Sequence, residues 1–300
     1  MLGKSKISYL DRLWHASTGC SMGCKTCWAR PLVCDRLSGT MRGLPCGPAQ
    51  GTDHLYAFDP TFHADRLADP LRVRKPQVIG VSFLGDLFDP KISDEQLLRV
   101  FDVLRQNEDR AQPHTMIVLT KQAERMVSFL SRLRWWSGEL RNPMSWDGHL
   151  WLTARPQDTP SAEVPGSVLH RSGGHLSPLL RHVWLGVSVS SQADTHRILD
   201  LQRTPAAHRW VSYEPAIDHL WLPMAGGAHD LPQVDAVVMG GESGPGWRPM
   251  DEDWARLMRD QCARHRIAFS LKQGSGMRPE HTPGLDGVRH WNVPWMGGRA

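Results

Sequence analysis

The chain has 300 residues, of which 40% are apolar and 22% charged, and its formal net charge is +4. This composition provides a sizeable core, which excludes wholesale disorder, and no run of about 18 apolar residues is present to span a membrane. The first residues lack the apolar stretch of a secretory signal, so we expect a cytoplasmic protein whose cysteines are ligands or catalysts rather than disulfides. The mild positive charge is compatible with a nucleic-acid partner.

From residue 78 onward, short apolar or β-branched segments alternate with helical patterns. We predict strands at 78–83, 115–119, 182–189, 209–213, 236–239 and 267–271, and helices at 93–106, 122–133 and 251–265. Ser93 is the expected N-cap of the first helix. This alternation is typical of an α/β fold with a mainly parallel sheet. Polar residues gather at the carboxyl ends of the predicted strands, the edge at which such sheets bind ligands.

Three segments depart from the alternation. Residues 30–75 are irregular, and about 134–181 are rich in Pro, Gly, Ser and Trp, with one strand-like run at 150–154. We interpret the second segment as an insertion, a lid or substrate element. The Gly- and Pro-rich tail at 274–300 is expected to wrap the surface. No internal repeat is visible, and we expect a single domain over residues 1–300.

The strongest chemical signal is the segment Cys20-Ser-Met-Gly-Cys24-Lys-Thr-Cys27. Thiolates are soft ligands that suit iron–sulfur clusters and zinc. Three closely spaced thiolates can hold three corners of a cubane cluster, which leaves the fourth iron open for a cofactor or substrate. Gly19 and Gly23 would allow the loop to fold tightly around such a cluster.

Other interpretations of these cysteines stay open. The ligand could be zinc, with Cys34, Cys46 or His15 as the fourth donor, which would give a nucleic-acid-binding protein without catalysis. A structural or electron-transfer cluster could use Cys34 or Cys46 as its fourth ligand. The thiols could also be buried without a ligand, as we expect for Cys262 in its helical pattern.

The Cys-x3-Cys-x2-Cys spacing, following a first strand, resembles the signature of the radical S-adenosylmethionine (SAM) superfamily. That superfamily usually has an aromatic residue just before the last cysteine; this chain has Thr26 there, and Trp28 is the expected substitute. The resemblance implies a partial or complete parallel (β/α) barrel. It also implies a 4Fe–4S cluster on the three cysteines, SAM as a second cofactor and an external electron donor.

More of the chain resembles an uncharacterised, largely phage-encoded branch with a radical-SAM-like fold. The matching segments are 19–20, 23–29, 82–88, 118–126, 184–189, 212–215, 240–249 and 271–273. The resemblance thus covers most of the chain but omits about 134–181 and much of 30–75.

Carried over position by position, the resemblance implies cofactor contacts at strand ends. Gly85 and Asp86 stand where the superfamily has a Gly-Gly-Glu-like turn, and Asp86 would accept hydrogen bonds from the SAM amino group. Ser188 and Ser190 are candidates for contacts to the ribose, and Glu214 for contacts to the ribose or the substrate. Each residue also has a structural interpretation, as a turn cap, a strand-end hydroxyl or a salt-bridged glutamate.

Five further residues are predicted to bind the substrate. Gly241 and Glu242 lie in a glycine-rich segment that could form a backbone cradle for a phosphate or carboxylate. Lys121 and Lys272, at strand ends, are candidate anchors for an anionic substrate, and Gln273 follows the second of them. Solvated lysines are the alternative interpretation.

The resemblance leads us to expect a radical SAM enzyme in which the cluster reductively cleaves SAM to a 5′-deoxyadenosyl radical that abstracts hydrogen. The expected substrate is a modified nucleobase in phage DNA hypermodification, with isomerisation or rearrangement as the outcome, in the host cytoplasm if the chain is phage-encoded. A radical DNA repair lyase is the close alternative. A set of Arg and Trp residues fits a nucleic-acid surface, with an ordinary amphipathic helix end as the alternative interpretation: Arg132, Arg134, Trp135, Trp136 and Arg141. The oligomeric state is left open.

Overall fold

An eight-stranded, almost entirely parallel sheet forms the centre of the molecule in the computed structural model. The structure describes residues 2–25, 27–33, 58–136, 150–153, 171–172, 175–176, 180–224 and 232–297. The strands are β1 (Gly3–Lys4), β2 (Arg12–Trp14), β3 (Val78–Val81), β4 (Thr115–Thr120), β5 (Val183–Val189), β6 (His208–Tyr213), β7 (Ala236–Gly240) and β8 (Ala268–Gln273). They lie side by side in chain order. Only β1 is antiparallel to its neighbour.

The largely parallel sheet with its helices confirms the predicted α/β class. The sheet is open, so the prediction of a complete barrel is wrong. Among the described strands, β8 pairs with β7 alone. The tail occupies the free edge of β8, where the Leu271 amide donates to the His290 carbonyl and the Thr282 amide donates to the Lys272 carbonyl. At the opposite edge, β1 is the last strand and pairs with β2 alone among the described strands.

Four helices follow strands of the sheet: α1 (Asp94–Glu108), α2 (Ala123–Arg132), α3 (Thr195–Arg203) and α4 (Glu252–His265). Ser93 caps α1 as predicted, accepting a hydrogen bond from the Gln96 amide in a capping box. Sequence analysis missed α3, in which Ile198 and Leu201 are the buried apolar residues. Three apolar positions in nine residues, two of them adjacent in the chain, give too weak a helical period to detect.

The helices pack on one face of the sheet. Their buried side chains share one hydrophobic cluster with the strand residues that point toward them: Leu97, Phe101, Met126, Ile198 and Met258 with Val118, Val187, Val211 and Met239. This cluster forms the main core.

Aromatic residues fill the other face of the sheet. Tyr9, Trp184, Trp210 and Trp295 belong to a second buried cluster that has no member from the four helices. Gly186 creates the necessary space, because a Cβ atom there would overlap the Trp210 indole. Trp295 comes from the tail, so the expectation that the tail only wraps the surface is wrong. Its indole, 6% exposed, packs against Trp210 with ring centroids 5.2 Å apart.

Shorter elements surround the sheet. Two-residue strands pair Ser17–Thr18 with Thr61–Phe62, Arg171–Ser172 with His175–Leu176, and Gly284–Leu285 with Val288–Arg289. Short helical turns lie at Ala29–Pro31, Ala64–Arg66, Pro70–Arg72, Gln192–Asp194 and Pro294–Met296. The strand predicted at 150–154 is present as Leu150–Thr153 and pairs in parallel with Leu133–Trp136. In the described part of the chain, no helix has the length and apolar character needed to cross a bilayer.

Candidate functional site

The cysteine loop is held against the carboxyl end of β3 by backbone contacts. The Gly19 amide donates to the Leu84 carbonyl (3.0 Å), and the Asp86 amide donates to the Gly19 carbonyl (3.2 Å). A Cβ atom at Gly85 would overlap the backbone of Gly19, and one at Gly19, where φ is +80°, would overlap the Asp59 carbonyl. Glycine at both positions therefore lets the loop approach the strand end closely.

A buried carboxylate that sequence analysis missed also fixes the loop. Asp89 is fully buried and accepts hydrogen bonds from both the amide and the hydroxyl of Ser21, each at 2.7 Å. Because Ser21 directly follows Cys20, this anchor restrains the first cysteine. The sequence offered one signal for this role of Asp89, namely its position just after the turn predicted at the end of the strand.

The three cysteine sulfurs each have a donor nearby. All three cysteines are free and partly buried. The Met22 amide donates to Cys20 Sγ and the Arg30 amide to Cys27 Sγ, both at 3.4 Å, whereas Lys121 Nζ lies 3.6 Å from Cys24 Sγ. Such donors stabilise thiolate ligands, so the chemistry of this donor set fits an iron–sulfur cluster or zinc.

The sulfurs are not assembled as a finished metal site. Over the described ranges, no three His, Cys, Asp or Glu side chains form a group that could hold a metal. Burial raises the pKa of Cys20 to about 12, so binding a metal there would have to displace a proton. Of the proposed fourth ligands, His15 is not grouped with the cysteines, and Cys34 and Cys46 lie outside the described residues.

Asp86 joins the ends of β3 and β4. It is buried and accepts hydrogen bonds from the Thr120 hydroxyl (2.6 Å), the Lys121 amide (2.9 Å) and the Phe88 amide (3.0 Å). Burial raises the pKa of Asp86, and these donors partly oppose that effect. The carboxylate thus has a structural role, and its contact with SAM stays a prediction.

A second polar group lies at the carboxyl ends of β5, β6 and β8. Lys272 Nζ forms an ion pair with Glu214 Oε1 at 2.7 Å, and the Ser212 hydroxyl donates to Glu214 Oε2 at 3.2 Å. Ser188 makes a long hydrogen bond of 3.5 Å to the Glu214 carbonyl. Gly240 accommodates the carboxylate, since a Cβ atom there would lie 2.7 Å from Oε1.

This ion pair is largely removed from solvent. The Lys272 and Glu214 side chains are 17% and 15% exposed, and Lys272 Nζ lies 5.9 Å from the centroid of the Tyr9 ring. Burial, and secondarily the charge of Glu214, raise the pKa of Tyr9 well above its ordinary value. Loss of either charged partner would leave the other unpaired in this setting, which costs about 3–5 kcal/mol for a buried pair.

The remaining predicted residues lie apart from these two groups or pair with one another. The Gln273 side chain donates to the Gly241 carbonyl (2.9 Å). Glu242 forms an ion pair with the half-exposed Arg248, whose hydrogen bonds lower the pKa of the Glu242 carboxyl. The Ser190 amide binds Asp194 Oδ2.

Two further candidates from the sequence, Trp28 and Arg132, lie in the described part of the structure. Trp28 is 55% exposed beside the last cysteine. Arg132 pairs with Asp94 at 2.7 Å. Arg141 and the side chains of residues 134–136 lie outside the described part of the structure.

The three cysteines, Gly85, Asp86 and Lys121 thus form one group at the carboxyl edge of the sheet, and Ser188, Glu214 and Lys272 form another. A family model described as "Protein of unknown function (DUF5131)" matches residues 4–284. Searches of curated proteins and of solved structures found no significant match.

Proposed function

The chain belongs to the DUF5131 family, and from the cysteine loop at the carboxyl edge of its sheet we propose that it is a radical SAM enzyme. The observation that carries this proposal is that Cys20, Cys24 and Cys27, all free, lie in a loop fixed against the end of β3. Seven adjacent parallel strands in chain order also agree with a partial (β/α) barrel of the radical SAM type.

The three cysteines would hold a 4Fe–4S cluster, with the backbone amides of Met22 and Arg30 donating to two of the sulfurs. Such a cluster, when bound, supplies the electron that reductively cleaves SAM to a 5′-deoxyadenosyl radical, which abstracts hydrogen from the substrate. An external donor must provide that electron. Trp28, beside Cys27, offers an exposed ring face on which the adenine of SAM can stack.

The second polar group, built from Ser188, Glu214 and Lys272, lies at the carboxyl ends of β5, β6 and β8, which follow β4 in the order of the sheet. We propose that it binds the ribose of SAM and a polar group of the substrate, because its ion pair lies at strand ends and is largely removed from solvent. For the substrate we propose a modified nucleobase, isomerised or rearranged in DNA hypermodification. A radical DNA repair lyase would use the same groups.

The test is anaerobic reconstitution with iron and sulfide, followed by dithionite and SAM, with 5′-deoxyadenosine as the measured product. We expect the native protein to form this product and Cys24→Ala to lose it. Cys262→Ala is the matched control, because Cys262 is a buried free thiol in α4, away from the loop. It should retain the cluster.

The other results separate the alternatives. A protein that co-purifies with zinc and assembles no cluster would contradict the proposal and favour the zinc-stabilised nucleic-acid-binding protein. A stable cluster that depends on Cys34 or Cys46, with no cleavage of SAM, would indicate a structural cluster. Salt-dependent binding to DNA, measured on the same preparation, tests the polynucleotide substrate.

A further inference from the structure

Lys121 belongs to the first group of the site, at the carboxyl end of β4, and its ammonium group lies next to the cysteine loop. It is the first residue after β4, and its amide is fixed by Asp86 Oδ2 at 2.9 Å. Its side chain is partly buried, and Nζ lies 3.6 Å from Cys24 Sγ. The loop and the strand end are both held by short hydrogen bonds, so this contact joins two fixed parts of the structure.

The environment of Lys121 differs from that of other lysines at this edge. Lys272 is paired with Glu214, and Lys91 is paired with Asp59. Lys121 Nζ forms no ion pair with any carboxylate that the structure describes; its contact is the sulfur of Cys24. A carboxylate partner would neutralise most of the Lys121 charge. In this contact the charge instead acts on the Cys24 sulfur.

We propose that Lys121 is a positioning residue for the cluster: it orients Cys24 and raises the reduction potential of a cluster bound by the three cysteines. This inference rests on the proposed function and assigns Lys121 a different role from that of an anchor for an anionic substrate. The reason is electrostatic. Reduction adds negative charge to the cluster, and a nearby ammonium that donates to a ligand sulfur stabilises the reduced form more than the oxidised form.

The test is a redox titration of the reconstituted protein, followed by electron paramagnetic resonance. Lys121→Met removes the charge while retaining most of the side-chain length, Lys121→Gln removes the charge with a shorter polar side chain, and Lys121→Arg retains the charge. Lys25→Met is the matched control, because Lys25 is next to Cys24 in the chain but is exposed to solvent. We expect a more negative midpoint potential in Lys121→Met and Lys121→Gln, and values close to the native one in Lys121→Arg and Lys25→Met.

An unchanged midpoint potential in both Lys121→Met and Lys121→Gln would overturn the inference. An equal shift in Lys25→Met would also overturn it, because the shift would then depend on the total charge of the protein and not on the contact between Lys121 and Cys24. If the native protein assembles a cluster but does not cleave SAM, the proposed function fails while the potentials still decide the role of Lys121. If the native protein assembles no cluster, both proposals are overturned.

Discussion

Buried polar atoms decide the local geometry of this protein at the scale of single residues. Asp86 and Asp89 are both almost completely buried, and each accepts hydrogen bonds from more than one donor. His15 shows the opposite situation: its Nδ1 atom is buried with no hydrogen-bond partner among the described residues. Burial, with the positive charges of Arg66 and His63, lowers the pKa of His15 to about 4.

The His15 environment predicts a specific dependence of stability on pH. The folded protein holds His15 neutral, whereas the unfolded chain protonates it near pH 6.5, so stability is full above that pH and falls as the pH drops toward about 4. The pKa difference corresponds to at most about 3 kcal/mol. His15→Gln should reduce the fall in unfolding free energy between these pH values, measured by urea denaturation.

His196→Gln is the control for this experiment, because His196 is an exposed histidine. It should leave the profile unchanged. A native profile that is already flat over this range, or one that His15→Gln does not alter, would contradict the assignment.

At the scale of elements, the contact between the cysteine loop and β3 is the junction on which the site depends. Gly19 and Gly85 form a bridge between the two segments, and neither position has room for a Cβ atom. Asp89 adds a side-chain anchor on the same loop. In the sequence, such backbone contacts are marked only by the glycines. The need for glycine at these positions is evident only when the two segments are in contact.

We predict that Gly85→Ala separates the loop from the strand end. The added methyl group would overlap the Gly19 backbone, and relieving such an overlap costs about 1–3 kcal/mol. The expected result is lower unfolding free energy and loss of bound iron after reconstitution, measured by denaturation and iron analysis. Gly274→Ala should change neither quantity, since no atom lies within 4 Å of a Cβ atom built there. Full iron binding by Gly85→Ala would show that the contact is dispensable.

At the scale of the whole molecule, the amino-terminal segment and the tail together close one face of the sheet. Tyr9 and Trp295 pack on each other and on Trp210, and the Trp295 indole donates to the Tyr9 carbonyl at 3.2 Å. The two ends of the described chain thus share a core with β5 and β6, beneath the polar carboxyl edge. This packing leads us to expect that the tail contributes to stability.

We predict that Trp295→Ala destabilises the fold by about 3–5 kcal/mol, because it removes a large buried side chain and leaves a cavity. Thermal and urea unfolding measure the effect. Trp221→Ala provides the comparison, because Trp221 is 53% exposed and its loss should change stability by less than about 0.5 kcal/mol. Equal effects of the two substitutions would contradict the assignment of the tail to the core.

Sequence patterns located most of the central sheet. The strand predicted at 182–189 is Val183–Val189, and the helix predicted at 251–265 is Glu252–His265. The strand predicted at 78–83 ends earlier, at Val81, because Ser82 takes a positive φ of 56° and turns the chain toward the cysteine loop. Such a conformation is unusual for a serine, and a run of apolar residues carries no signal for it.

The sequence by itself determined the α/β class, the direction of the strands and the cluster of cysteines, because these depend on local periodicity and on residue spacing. Only the tertiary structure decided that the sheet stays open, that Trp295 enters the core and that Lys121 contacts Cys24 rather than solvent. Each of these joins residues far apart in the chain. Their energies come from burial and from close approach, and those quantities exist only when the segments have packed together.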